Sequence, residues 1–162
     1  MVIAVVAIIF VSWYVWRWVS DYYAVKNFSV ASEQELRELL KTDADYIRLE
    51  RIAKLAYQRD NYGSTTPEGT LELFVEALKK GDADLASKYF LPELQKEYRT
   101  AVENWVRLGK NIGIADNLSR VDMPEIKGNS AFITTTNSKK EIILMIRLAK
   151  NQYTQKWKLE SI

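Results

Sequence analysis

The sequence predicts an α+β protein: an N-terminal transmembrane helix, a helical connector, then three helices packed on an antiparallel sheet of about four strands. Three observations predict it. Residues 1–19, MVIAVVAIIFVSWYVWRWV, are almost wholly apolar and end in a crowd of aromatics. Residues 66–109 carry apolar side chains at helical spacing between strong start and stop signals. Beyond Val121 the pattern changes to strand-like runs parted by turn signals. The expected boundaries are 1–25 for the anchor with its aromatic belt, 26–65 for the connector and 66–162 for the α+β domain.

In the anchor, Ser12 and Arg17 are the only strongly polar residues before Ser20. At about 1.5 Å per residue it spans roughly 28 Å, close to the ~30 Å of a hydrocarbon core. Trp13, Tyr14, Trp16, Trp18, Tyr22 and Tyr23 gather at one end, where amphipathic rings favour the headgroup layer. Arg17 lies near that boundary and can extend its guanidinium to the interface. A cleaved signal peptide would want a basic start, a shorter apolar run and small residues at a cleavage site, and a lipoprotein would want a cysteine. The chain offers none of these. The lipid bilayer is therefore an expected partner, through residues 1–19. No Lys or Arg precedes the anchor while Arg17 and Lys26 follow it, which by the positive-inside rule alone would hold the C-terminal part in the cytoplasm. An apolar stretch beginning at Met1 reads as clipped, however. The expectation is a single-pass plasma-membrane protein with an extracytoplasmic C-terminal domain, to which the resemblance described below also points.

Composition narrows the function classes. With 23 basic and 21 acidic residues the net charge is +2, and no basic run is present, so nucleic acid is not an expected partner. The absence of Cys and His excludes disulfides, thiol nucleophiles and thiolate or imidazole metal sites.

The connector opens on Ser32 with Glu35 three residues on, a capping box, followed by Leu36, Leu39 and Leu40. Lys41-Thr42-Asp43 interrupts this helix, with Asp43 the expected cap of a second one. That helix carries Ile47, Leu49, Ile52, Ala53, Leu55 and Ala56 among charged residues, with Glu50 and Lys54 an i,i+4 pair. Asp60 to Thr65 breaks the pattern as a loop. Thr66-Pro67-Glu68 then starts a helix with a capping hydroxyl, a Pro at the first position and an acid at the positive end of the dipole. Leu71, Phe74, Val75 and Leu78 form its core stripe, and Gly81 ends it. Asp82 caps a short helix bearing Leu85, Ala86, Tyr89 and Phe90. Leu91-Pro92 turns the chain into a third, with Leu94, Tyr98, Val102, Trp105 and Leu108 on one face and Gly109 at its end.

Val121, Met123 and Ile126 precede Lys127-Gly128-Asn129, a hairpin signal, and residues 131–136 are rich in β-branched side chains. Residues 141–149, EIILMIRLA, read as a strand buried on both faces. After a turn at Lys150-Asn151-Gln152, Trp157 and Leu159 alternate with Lys156, Lys158 and Glu160, predicting one dry face and one wet.

TPEGTLELFVEALKKGDADLASKYF and the closing KWKLESI resemble the nuclear transport factor 2-like superfamily, in its cystatin-like, exported bacterial branch. The matching positions are Phe74, Ala77, Leu78, Gly81, Asp82, Ala86, Tyr89 and Phe90, then Trp157, Lys158, Leu159 and Ile162. The resemblance covers residues 66–162 and implies a curved sheet wrapped around helices as a cone, in some members a ligand pocket. Its markers concern fold rather than activity.

Tyr89, Tyr98, Trp105 and Trp157, with Arg147 interrupting an apolar strand, form the candidate ligand pocket: aromatic walls and a cationic handle for an anionic ligand or peptide terminus. Tyr153 is a further aromatic candidate. Catalysis is not expected, because the chain lacks the side chain best suited to proton transfer near neutrality. Asp116, Asp122, Glu125 and Glu141 lie near expected strand ends and read as solvated turns and edges. The pairs Asp43/Asp45 and Asp82/Asp84 read as helix caps rather than calcium ligands, so neither metal nor cofactor is expected. The leading expectation is a membrane-anchored, non-catalytic module that binds an envelope protein or small ligand. The alternatives are a pilus-like subunit assembled through its hydrophobic helix, and a cone-fold isomerase or dehydratase. Early in the anchor the acid expected of a type IV pilin helix is missing.

Overall fold

A computed structural model describes residues 43–136 and 142–162, together with Val19. Apart from Val19, the expected anchor lies outside the described residues, as do residues 26–42 of the connector. Among the described residues no helix is long and apolar enough to cross a membrane. The protein is α+β, with five α-helices and a four-stranded antiparallel sheet among these residues. Tyr57–Ile162 forms one compact unit, distinct from the residues before it.

Helix α1 spans Asp43–Arg59. On it Ile52 and Ala56 are buried while Ile47 is exposed. Helix α2, Pro67–Lys80, starts as the sequence dictates. The Thr66 hydroxyl accepts from the Gly69 amide at 3.1 Å with Pro67 at the first position. Gly81 stops it in the left-handed region at φ 68°, its amide turned back on the Ala77 and Leu78 carbonyls. Asp82 caps α3, Ala83–Ser87, by accepting from the Leu85 amide at 2.9 Å. A 3-10 turn at Pro92–Leu94 leads into α4, Gln95–Arg107.

The sequence predicts three helices after Thr66, and the structure has a fourth, α5, at Asn111–Leu118. Its two Asn residues and Gly113 are poor helix formers, which masked it. Packing overrides them: Ala115 and Leu118 are buried in the core, Ile114 packs against it, and Asn111 Nδ2 donates to the Leu78 carbonyl at 2.9 Å. Asp116 accordingly lies on a helix and not at a strand end.

The sheet runs β1 (Glu125–Lys127), β2 (Ser130–Thr136), β3 (Ile142–Lys150) and β4 (Trp157–Ser161), in that spatial order. Gly128 at φ 61° makes the β1–β2 turn. Register pairs Ile133 with Ile146, Ala131 with Leu148 and Leu148 with Leu159, so these side chains share the face on which the helices pack. On the other face Phe132 pairs with Arg147 and Thr134 with Met145. The expectation that β3 is buried on both faces is therefore corrected, since Met145 and Arg147 are exposed. Among the described residues the helices cover one face, and long aliphatic stems tolerate water on the other.

Strand β4 is an edge whose polar groups are covered by the chain itself. Leu159 donates to the Tyr89 carbonyl at 2.8 Å and accepts from the Leu91 amide at 3.0 Å. The Trp157 amide donates to Ser64 O at 2.8 Å. Gly63 is required beside it: at φ 101° it comes so near that a Cβ would stand 2.3 Å from the Trp157 carbonyl oxygen.

The predicted wet face of β4 is overturned at Lys158, which is fully buried. Its ammonium lies 2.8 Å from both oxygens of Asp60, donates to the Lys88 carbonyl and reaches the Tyr62 carbonyl at 3.4 Å. Asp60 also accepts from Gln95 Nε2 at 3.1 Å and from the Tyr62 amide at 3.1 Å. Nearby, the Tyr57 hydroxyl lies 2.8 and 2.9 Å from the two oxygens of Glu93, and Asn151 Nδ2 donates to the Tyr57 carbonyl at 2.8 Å. Burial pulls the Lys158 ammonium below the ordinary lysine value, and Asp60 opposes the shift. Burial also pushes the Tyr57 phenol far above 10, with the Glu93 carboxylate adding to it.

Two outcomes follow. Lys158→Met leaves Asp60 buried without its counter-ion and costs about 3–5 kcal/mol by chemical denaturation, with Asp60→Asn added to it restoring part of the loss. Tyr57 binds its proton more tightly folded than unfolded, so its stabilisation is complete below pH 10 and is lost as pH rises beyond. Lys158, whose folded affinity is lowered, acts in the opposite sense below 10.5. Stability measured against pH therefore falls less steeply above pH 10 in Tyr57→Phe than in the wild type.

Candidate functional site

Helix α2 presents two stripes. Phe74, Ala77 and Leu78 enter the core, and Glu68, Leu71, Glu72, Val75 and Glu76, at i, i+3, i+4, i+7 and i+8, form one wall of a cleft, Leu71 and Val75 belonging to both. Leu118 and Ser119 at the end of α5, the following Val121, Asp122 and Met123, and Ile133 of β2 complete it, enclosing about 470 Å³.

The walls divide by polarity. Leu71, Val75, Leu118 and Ile133 are buried and Val121 half-buried, giving an aliphatic floor, while Met123 at the lip is 81% exposed. Every charged group lining the cleft is a carboxylate: Glu68, Glu72, Glu76 and Asp122. Glu72, Glu76 and Asp122 are exposed and Glu68 half-buried. Among the described residues no three carboxylates come together closely enough to hold a metal ion, so the acids ring the opening rather than converge. The Ser119 hydroxyl donates to the Ala115 carbonyl at 2.8 Å and is thereby engaged in its helix. The lining contains neither Lys, Thr nor Tyr. This arrangement attracts cations at its rim and shelters aliphatic groups within.

The five residues singled out from the sequence are placed elsewhere. Tyr89 and Trp157 are buried in the core, Trp105 packs against it, and Tyr98 stacks on Phe90 at 3.6 Å between ring centres. Burial pushes the Tyr89 and Tyr98 phenols up; the Glu76 carboxylate adds to the first, and the Ile162 amide opposes the second. Tyr89 meets the Tyr62 ring edge to face at 6.4 Å. Arg147 lies on the outer face of the sheet, 3.5 Å from Glu160 and over the Phe132 ring at 5.7 Å. None of the five lines the cleft. Tyr153 is exposed in the β3–β4 turn. Of the carboxylates, Asp116 pairs with Lys79 at 3.5 Å and Glu125 with Lys127 at 2.9 Å, Asp122 enters the cleft, and Glu141 lies outside the described residues.

The cleft had one trace in the sequence. Glu68, Glu72 and Glu76 recur every four residues beside Leu71 and Val75, a mixed stripe next to the apolar one. By apolarity alone, Leu71 and Val75 read simply as core.

Trp157→Ala costs about 3–5 kcal/mol in a denaturation experiment, as a core truncation does, while Arg147→Ala stays within about 0.5 kcal/mol. Comparison with protein-family models, curated proteins and solved structures gives no match to this chain, so the site is argued from its own geometry.

Proposed function

We propose that the chain is a single-pass, membrane-anchored and non-catalytic binding module of the cell envelope, and that the cleft of α2 holds its ligand. The observation that carries the reading is the cleft's division into an aliphatic floor and a rim charged only by carboxylates. Its ligand is a small cationic, aliphatic group, such as a Lys–Leu stretch of an envelope protein: the aliphatic part leaves water against Leu71, Val75, Leu118 and Ile133, and the ammonium stays at the rim near Glu72 and Asp122. The cationic handle expected from Arg147 is replaced by its opposite.

The anchor rests on residues 1–19, whose length and aromatic belt suit a bilayer, and the extracytoplasmic placement rests on the resemblance of residues 66–162 to the cystatin-like branch. A cone-like form of the sheet belongs to the same proposal. Its support is that the resemblance's markers Phe74, Ala77, Leu78, Ala86, Phe90 and Leu159 are core residues, with Gly81 in the left-handed conformation. The non-catalytic reading is supported by a rim of water-exposed carboxylates without His.

The chain offers its own reporters, since Met123 stands at the cleft and Met145 on the far face of the sheet. Titration of methyl-labelled full chain with acetyl-Lys-Leu-Lys-amide moves the Met123 methyl resonance and leaves Met145 in place. Glu72→Gln weakens the interaction by up to about fivefold, the worth of one exposed ion pair. An unmoved Met123, or an equal response to acetyl-Glu-Leu-Glu-amide, would sink the proposal.

A further inference from the structure

Three helix ends meet at one corner of the Tyr57–Ile162 unit. Gly81, at the end of α2, is so close to Val106 of α4 that a Cβ there would touch the valine methyls at 3.6 and 3.7 Å. Asn111, at the start of α5, bonds the Leu78 carbonyl of α2 at 2.9 Å. Between α4 and α5, Gly109 at φ 66° turns the chain, and the Lys110 amide donates to Trp105 O at 2.8 Å.

That corner exposes what a folded chain ordinarily buries. Val106 is 37% exposed, Leu108 55% and Ile112 47%. Around them stand Lys79, Lys80, Arg107 and Lys110, all exposed. Of the acids nearby, Asp82 caps α3, Asp116 pairs with Lys79 at 3.5 Å and Glu103 pairs with Arg99 at 3.0 Å, while Glu76 lies one turn before Lys80 on α2. Lys80 and Lys110 have no carboxylate partner among the described residues.

We propose that this corner docks on an anionic membrane surface, with Leu108 and Ile112 entering the headgroup layer and Lys80, Arg107 and Lys110 meeting lipid phosphates. Aliphatic side chains at a turn, flanked by cations whose long stems let the charge stay at the interface, are the chemistry such a surface takes up. Charge complementarity selects anionic lipid, because each Lys or Arg near such a leaflet strengthens the contact roughly fivefold. The anchored reading contributes only proximity: a tethered domain meets the bilayer at high effective concentration, so a small patch suffices.

The absence of native Cys makes the test direct. Full chain carrying Ile112→Cys, labelled with a polarity-sensitive dye, is compared in vesicles of equal phosphatidylglycerol and phosphatidylcholine and in phosphatidylcholine alone. Gln152→Cys, in the exposed β3–β4 turn, is the second label site. The Ile112 position moves to an apolar environment with the anionic vesicles only, and the Gln152 position does not move. Lys80→Glu with Lys110→Glu, or about 1 M salt, where the screening length is near 3 Å, abolishes the change. Equal signals in both vesicle types, no change at Ile112, or a response to polyphosphate without one to vesicles overturns the proposal. Flotation with phosphatidylcholine alone reports the anchor separately. A chain that does not float there refutes the anchor, while the Ile112 label, read with anionic vesicles added, still decides the corner.

Discussion

The ammonium of Lys158 and the carboxylate of Asp60 are buried against each other, and much of the Tyr57–Ile162 unit is arranged by that fact. A charge removed from water is tolerable only when opposed and fully hydrogen-bonded. The three ammonium protons have four acceptors within reach: the two Asp60 oxygens and the carbonyls of Lys88 and Tyr62. Asp60 in turn gathers Gln95 and the Tyr62 amide. One pair thereby joins the segment after α1, the end of α3, the start of α4 and strand β4. Such a network carries little net stabilisation relative to an apolar core of the same volume; it specifies which segments lie together.

Around that network the backbone accounts for the exposed side of the sheet. The stretch 89–91 bonds to Leu159 and the loop 63–64 to Trp157, so β4 has no open ladder. With that edge covered, the helices occupy a single face of the sheet, and Ile133, Ile146, Leu148 and Leu159 meet Phe74, Leu78, Phe90 and Val102 beneath them. Helix α2 thus serves both core and surface. Its Phe74 side is dry, and its Leu71–Val75 side lines the cleft together with Leu118 of α5 and the segment 119–123.

The proposed binding site and the proposed membrane contact fall on different parts of α2 and carry opposite charge. The cleft is ringed by Glu68, Glu72, Glu76 and Asp122, whereas the corner at the helix C-terminus bears Lys79 and Lys80 with Arg107 and Lys110. The helix is polarised as its dipole prefers, with Glu68 in the first turn and two lysines in the last. Such a division would let one end face an anionic bilayer while the other attracts a cationic ligand.

What the sequence determined by itself was local. The caps at Thr66 and Asp82, the stop at Gly81 and the hairpin at Gly128 depend on neighbours within a few residues, and all were legible. The short helix α5 was not, because Asn and Gly hide a stripe that only the core rewards. Lys158 read as solvated, since a lone Lys in an alternating strand reveals nothing about a carboxylate 98 positions away. Tyr89 and Trp157 are buried in the core, and apolarity in a sequence cannot distinguish a wall facing atoms from a wall facing space. The cleft exists where packing stops, and only the tertiary structure decides where that is.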